Sequence, residues 1–178
     1  MDVALNLSQK EDTLISVMHP FDFSQYYFNP HAIPLFISVG LIALLGWKVF
    51  TGRRSPANMF FGSLCLGIVT WLFFTAIGYL VRDNQALALF WFRLDWIGVS
   101  YIPACIYAFV SNFLGKKRPL AIKAAFALGT FFAIVTLTPL NPMMIGVKRF
   151  PWGFFVQREY KWSFFFFYFR FLLMQHPL

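Results

Sequence analysis

Residues 58–81 read NMFFGSLCLGIVTWLFFTAIGYLV, a run of 24 residues that contains no charged side chain. At a rise of about 1.5 Å per residue, a helix of this length more than covers a hydrocarbon core of about 30 Å. Three further, largely apolar runs occupy residues 33–50, 86–114 and 120–140. The repetition of such runs predicts an all-α fold, a polytopic bundle of transmembrane helices.

Composition supports the same fold class. Hydrophobic residues make up 59% of the chain and charged residues 12%, against about 45–50% and 25% in an average soluble domain. The 15 basic residues, which give a net charge of +8, gather at the ends of the apolar runs. A nucleic-acid-binding domain would instead collect them on one face of a polar fold. The lipid bilayer is therefore the expected partner, and nucleic acid is excluded.

The last part of the chain is less regular. A loop is predicted over residues 141–161, and a fifth span begins at residue 162. That span offers about 12 apolar residues, interrupted by Arg170, which is too short to cross the bilayer. We therefore expect four full transmembrane helices and a partial fifth, as in a truncated protein. Residues 1–30 are expected to form an interfacial segment, because aromatic residues precede the first span.

The distribution of basic residues predicts an N-terminus outside the cell membrane. Each side of the membrane would hold seven basic residues, so the count does not decide. The inner residues, however, lie in very short loops against the helix ends, where the positive-inside rule is strongest. These inner residues are Lys48, Arg53, Arg54, Lys116, Lys117, Arg118 and Lys123.

Arg93 and Asp95 are the main polar feature of the third run. Residues two apart on a helix do not face each other, so each needs another partner or water. Charges near a membrane segment are costly and often functional. The pair is therefore a candidate for a ligand- or signal-linked role, and an interfacial position is the alternative. Pro103 is expected to kink the same helix, either as a structural feature or as a hinge.

A stripe of small residues in the fourth run predicts close helix packing, because small side chains at every fourth position let two backbones approach. It is formed by Ala121, Ala125, Gly129 and Ala133. Packing within one protomer and the seam of a homodimer are both open. Cys65 and Cys105 lie within apolar runs and read as inert packing residues. The sequence shows no catalytic constellation, no metal-ligand set and no cofactor motif.

Several local motifs resemble the N-terminal seven-helix membrane region of bacterial and archaeal sensor histidine kinases. The resemblance covers residues 29–170. It rests on Asn29-Pro30, Gly52-Arg53-Arg54, Phe90-Trp91-Phe92-Arg93-Leu94-Asp95-Trp96-Ile97-Gly98 followed by Pro103, and Gly146-Val147-Lys148-Arg149-Phe150 before Trp152-Gly153. The family-like residues are Arg93, Gly98, Pro103, Arg149, Trp152 and Gly153.

The resemblance implies that residues 31–178 form the sensor or input domain of a two-component signalling protein without its catalytic output domain. A cytoplasmic signalling domain or protein would then be the partner, and the chain itself would not be an enzyme. A fragment or small subunit of a membrane transporter is the alternative. It would require intramembrane polar residues on several spans, and the second and fourth spans carry no central charge.

Overall fold

The computed structural model describes residues 20–52, 55–116, 118–138 and 146–157. In these ranges four long helices follow one another, and each is long and apolar enough to cross a membrane. They are α1 (Ile33–Thr51), α2 (Pro56–Leu80), α3 (Gln85–Phe113) and α4 (Pro119–Leu137). The predicted all-α class with four membrane helices is confirmed. The expected fifth span and residues 1–19 lie outside the described residues.

Local sequence signals explain where the helices begin and end. The Ser55 side chain accepts a hydrogen bond from the backbone N–H of Asn58 at 3.1 Å, and Asn84 caps α3 in the same way. Each side chain satisfies one of the N–H groups that have no partner within the helix. Gly115, with φ of +68°, follows the end of α3, where a left-handed residue commonly stops a helix.

Among the described residues, every substantial helix contact joins neighbours in sequence: α1 with α2, α2 with α3, and α3 with α4. The most apolar stretch of α3 is 56% buried, whereas that of α1 is 6% buried. α3 is thus the central helix, and α1 exposes most of its surface to the surroundings. In a bilayer, lipid would cover that apolar surface.

The central helix is approached closely from both sides at glycines. A methyl group on Gly98 would collide with the Gly67 carbonyl oxygen and would lie 2.7 Å from the backbone nitrogen of Trp71, on α2. A methyl group on Gly129 of α4 would lie 3.0 Å from the Ser100 carbonyl oxygen. The small-residue stripe of α4 therefore faces α3 of the same protomer, and its members Ala125, Gly129 and Ala133 are buried; Ala121 packs beside them.

The prediction of a loop over residues 141–161 is wrong for part of that range. Residues Gly146–Phe150 (β1) and Gly153–Gln157 (β2) form an antiparallel hairpin. Its turn includes Gly153, whose φ of +132° favours glycine. Pro, Gly and basic residues gave this segment a loop-like composition, but its aromatic side chains pack on the helix ends and hold the two strands in place.

Candidate functional site

One end of the bundle carries a structured cap, made of residues 20–32, the α2–α3 connection and the β-hairpin. The N–H of Tyr27 donates to the Leu80 carbonyl at 2.8 Å, and the N–H of Arg82 donates to the Gln25 carbonyl at 2.9 Å. Between these bonds Tyr26 pairs with Val81 as a short β-bridge. The N-terminal segment is thereby fixed against the end of α2.

Asn29 lies at the centre of the cap and is only 2% exposed. Its side-chain Nδ2 donates to the carbonyl oxygens of Tyr79 and Trp152, each at 2.8 Å. Its Oδ1 accepts from the N–H of His31 at 3.0 Å, which caps the 3-10 turn Pro30–Ala32. The Tyr79 carbonyl belongs to the last turn of α2, where carbonyls lack helical donors. Asn29 therefore joins the N-terminal segment, α2 and the hairpin through one side chain.

The hairpin reaches this site through its turn. Gly153 is buried, and a methyl group there would lie 3.0 Å from Nδ2 of Asn29. The Trp152 ring stacks on Phe150, with centroids 5.1 Å apart, and contacts Tyr79 edge-on. Phe154 is 1% exposed and inserts into a hydrophobic cluster with residues of the α2–α3 connection and of α3. Trp152 and Gly153 are thus structural parts of the cap.

Arg149 lies on the exposed face of β1. Its guanidinium forms an ion pair with Asp83, which also lies near Arg82, and sits 5.9 Å from the centroid of the Phe154 ring. The side chains of Arg149 and Asp83 are both more than half exposed. Solvent-exposed pairs of this kind contribute about 0–1 kcal/mol each. The ion pair therefore adds little to the stability of the hairpin.

Tyr26 connects the cap to the central helix. The indole Nε1 of Trp91, on α3, donates to the Tyr26 hydroxyl oxygen at 2.9 Å. The same hydroxyl donates to the Pro20 carbonyl at 2.7 Å. Burial raises the pKa of Tyr26 above its ordinary value, and the hydrogen bond with Trp91 partly opposes this effect. The neutral phenol is therefore held as a bridge between the N-terminal segment and α3.

Asp95 lies about one turn further along α3, at the interface with α2. It is 5% exposed, and its Oδ2 accepts a hydrogen bond from the Thr75 hydroxyl at 2.9 Å. The same hydroxyl also lies 2.9 Å from the Trp71 carbonyl, so one hydrogen is shared between two acceptors. The carboxyl group therefore sits in a contact between α2 and α3, close to the glycine crossing at Gly98.

Arg93 projects from a different side of α3 and forms no ion pair with Asp95. Among the described residues its Nε atom is buried and has no hydrogen-bond partner, and the same holds for the hydroxyl oxygens of Ser100 and Ser111. Separations of seven and eleven residues are close to whole turns, so these three residues lie on one face of the helix. The hydroxyls of Thr70 and Ser63, by contrast, donate to carbonyls of their own helix.

Pro103 lies buried within α3, between Ser100 and Ser111. Because proline has no N–H, the carbonyl four residues earlier, at Val99, loses its helical donor. The polar face of α3 (Arg93, Ser100 and Ser111) therefore runs past a point where the backbone ladder is interrupted. Cys65 and Cys105 are buried free thiols at other positions in the bundle.

The structure divides the predicted site residues into two groups. Arg149, Trp152 and Gly153 belong to the cap, whereas Arg93, Asp95, Gly98 and Pro103 lie along α3. Sequence reasoning noted Asn29 only as part of a motif and did not find Thr75. The position of Asn29 just before Pro30 is a helix-capping signal that could have identified it. No local signal marks Thr75, because its role depends on packing against α3.

Comparison with protein-family models matches residues 34–175 to the N-terminal 7TM region of histidine kinase. The match contains the hairpin, α2, α3 and α4 completely, and α1 from its second residue. Comparisons with curated proteins and with solved structures gave no match.

Proposed function

The chain belongs to the family of N-terminal 7TM regions of histidine kinases, and from that premise we propose that it is a membrane-embedded input module. It receives a stimulus and passes it to a kinase domain on the other side of the membrane. The match over residues 34–175 carries this proposal, and it confirms the resemblance that the sequence motifs indicated. The four apolar helices agree with a multi-pass membrane protein.

The cap and the central helix suggest how the signal travels. Tyr26 ties the N-terminal segment to α3 through Trp91, and α3 contacts both neighbouring membrane helices. A stimulus that moves the cap would therefore bias the packing of α3. Such a bias requires a stimulus that interacts differently with two packings. Any second packing of α3 against α2 can differ only by a small rotation or shift, because the two backbones already touch at Gly98.

Arg93 and Asp95 are the proposed signal-linked residues of α3. Asp95 is bonded to α2 through Thr75, so a change in the α2–α3 contact alters the surroundings of a buried carboxyl group. Arg93 offers a guanidinium whose Nε is buried and unsatisfied. Buried polar groups of this kind are expensive in a membrane and are retained where they bind or switch. A change in the packing of α3 would thus change the surroundings of both residues.

A grafted protein tests this function. The chain is joined to the remaining helices and the kinase domain of a close family member, and autophosphorylation is measured in vesicles. Arg93→Ala and Thr75→Val should each change basal output, and a shift of about 1.4 kcal/mol would change a two-state ratio tenfold. Lys123→Ala is the control, because Lys123 is an exposed basic residue outside the cap and outside the α2–α3 contact. Output unchanged in both Arg93→Ala and Thr75→Val, with normal insertion, would refute the signal-linked role.

The proposed orientation places the cap outside the cell and the α1–α2 and α3–α4 connections in the cytoplasm. It is supported by the short basic loops at these two connections. A reporter that is active only in the cytoplasm should work when fused after Arg54 or after Arg118. The same reporter fused after Asn84, between α2 and α3, should be silent. The opposite pattern would reverse the orientation.

The chain by itself is proposed to have no phosphotransfer activity, so a cytoplasmic kinase domain is its partner. Purified protein incubated with labelled ATP should remain unlabelled, and labelling would contradict this part of the proposal. A homodimer remains a further proposal, since the small-residue stripe of α4 faces α3 and a dimer would need another surface. Family membership favours the input module over the alternative of a transporter subunit. No contact among the described residues specifically supports that alternative.

A further inference from the structure

Three phenylalanine rings project from the N-terminal segment of the cap. Phe21 and Phe23 are each 85% exposed, and Phe28 is 76% exposed. We call these three side chains the phenyl patch. Aromatic rings bury more apolar surface than almost any other side chain, so leaving three of them in water is unfavourable. Their exposure indicates that something apolar covers them.

The position of the patch identifies its environment. The segment is fixed to the end of α2 by the bonds from Tyr27 to Leu80 and from Arg82 to Gln25. α1 begins at Ile33, a few residues after Phe28. The patch therefore lies level with the ends of membrane-crossing helices. This level in a bilayer is the boundary between head groups and hydrocarbon, where Phe side chains of interfacial segments are buried among the acyl chains.

Exposed polar residues stand between the rings in the sequence. Asp22 is exposed, and its carboxylate accepts from the N–H of Ser24 at 3.0 Å, which closes the 3-10 turn. The order Phe-Asp-Phe-Ser thus alternates rings with groups that suit water or lipid head groups. A short segment that exposes both apolar rings and polar groups suits the boundary between hydrocarbon and head groups.

We propose that the phenyl patch binds the lipid surface itself, with the three rings inserted at the interface beside the helix ends. The partner is the bilayer that the chain spans, and this step does not depend on the proposed function. A second step does rest on it. Tyr26 lies between Phe23 and Phe28 and bonds to Trp91 of α3, so changes in interfacial lipid packing would reach the central helix through this bond.

Spin labels test the insertion of the patch. The native cysteines are first removed by Cys65→Ala and Cys105→Ala. A spin label is then attached at Phe23→Cys or at Phe28→Cys, and the labelled protein is reconstituted in bilayers. Oxygen, which concentrates in lipid, should relax both labels several-fold more than a water-soluble nickel chelate. Ser24→Cys is the matched control, since Ser24 is exposed in the same turn, and there the chelate should dominate. Chelate-dominated relaxation at both ring positions would overturn the proposal.

Two further results separate lipid from other occupants. Strong spin–spin broadening at the ring positions would show that a second copy covers the patch, and would also overturn the proposal. The triple variant Phe21→Ser, Phe23→Ser, Phe28→Ser should melt at a lower temperature in vesicles than the wild type. The triple leucine variant should keep the wild-type melting temperature, because it preserves apolar side chains. Equal melting of the serine and leucine variants would contradict insertion.

The coupling step has its own test in the grafted kinase. Vesicles of loosely packed, unsaturated lipid are compared with vesicles of tightly packed, saturated lipid. Tyr26→Phe removes the bond to Trp91 but leaves the phenyl patch unchanged. A spin label at Phe23→Cys should therefore still be relaxed mainly by oxygen, while kinase output should no longer depend on the lipid. Retained lipid dependence would refute the coupling and leave the anchor intact. Failure of the labels to insert would refute the anchor, whatever the kinase does.

Discussion

Replacing Asn29 with alanine should loosen the cap while leaving the membrane helices formed. The change removes the donor to the Tyr79 and Trp152 carbonyls, each bonded at 2.8 Å. The Asn29 site is only 2% exposed, so water cannot readily replace the amide. At a net value of about 1 kcal/mol per hydrogen bond, and more where an acceptor stays unsatisfied, the loss is about 2–3 kcal/mol.

This loss is measurable as hydrogen exchange of the paired amides of β1 and β2. If the hairpin opens locally before it exchanges, a loss of 2–3 kcal/mol increases its exchange rates about 30- to 150-fold. Asn112→Ala is the control, because the Asn112 side chain bonds to the Ala108 carbonyl at the other end of α3. Hairpin exchange within threefold of the wild type in Asn29→Ala would refute the reasoning.

Three other predictions concern packing and protonation. Gly98→Ala should lower the free energy of unfolding by about 1–3 kcal/mol, because its methyl group meets the α2 backbone. Gly40→Ala is the control: a methyl group there has nothing within 4 Å, so the variant should be neutral or more stable by up to about 1 kcal/mol. Gly129→Leu should also cost about 1–3 kcal/mol in detergent unfolding, and an unchanged curve would contradict the α3–α4 contact. The pKa of Tyr26 is raised in the folded protein, so as the pH rises the unfolded chain loses the phenol proton first. Above about pH 10 the melting temperature should therefore fall more in the wild type than in Tyr26→Phe.

The membrane helices could be predicted from sequence because lipid imposes a simple rule on length and polarity. The third span was predicted at residues 86–114 and is observed at Gln85–Phe113. The apparent interruption by Arg93 and Asp95 did not end the helix, since Asp95 is bonded to α2 and α3 is largely covered by protein. Hydropathy therefore located the spans but could not say which one was central.

The cap could not be predicted in the same way. Asn29 contacts Tyr79 and Trp152, which are 50 and 123 residues away in the chain, and nothing in the local sequence names such distant partners. The hairpin was missed because proline and glycine dominate its turn, and its strands lack a clean alternation of polar and apolar residues. The motif residues Trp152 and Gly153 were noted, but their role emerged only from tertiary contacts.

The bond between Asn29 and Trp152 also fixes an order of assembly. Each described helix contacts its sequence neighbours, so pairs can pack as soon as they leave the ribosome. The bond from Asn29 to the Trp152 carbonyl must wait until Trp152 has been made, 123 residues later. At about 5–20 residues per second, this delay is roughly 6–25 s. During that interval the cap lacks its hairpin, although the N-terminal segment can already bond to the end of α2. Because Trp152 follows α4 in the chain, the cap is completed only after α4 has been made.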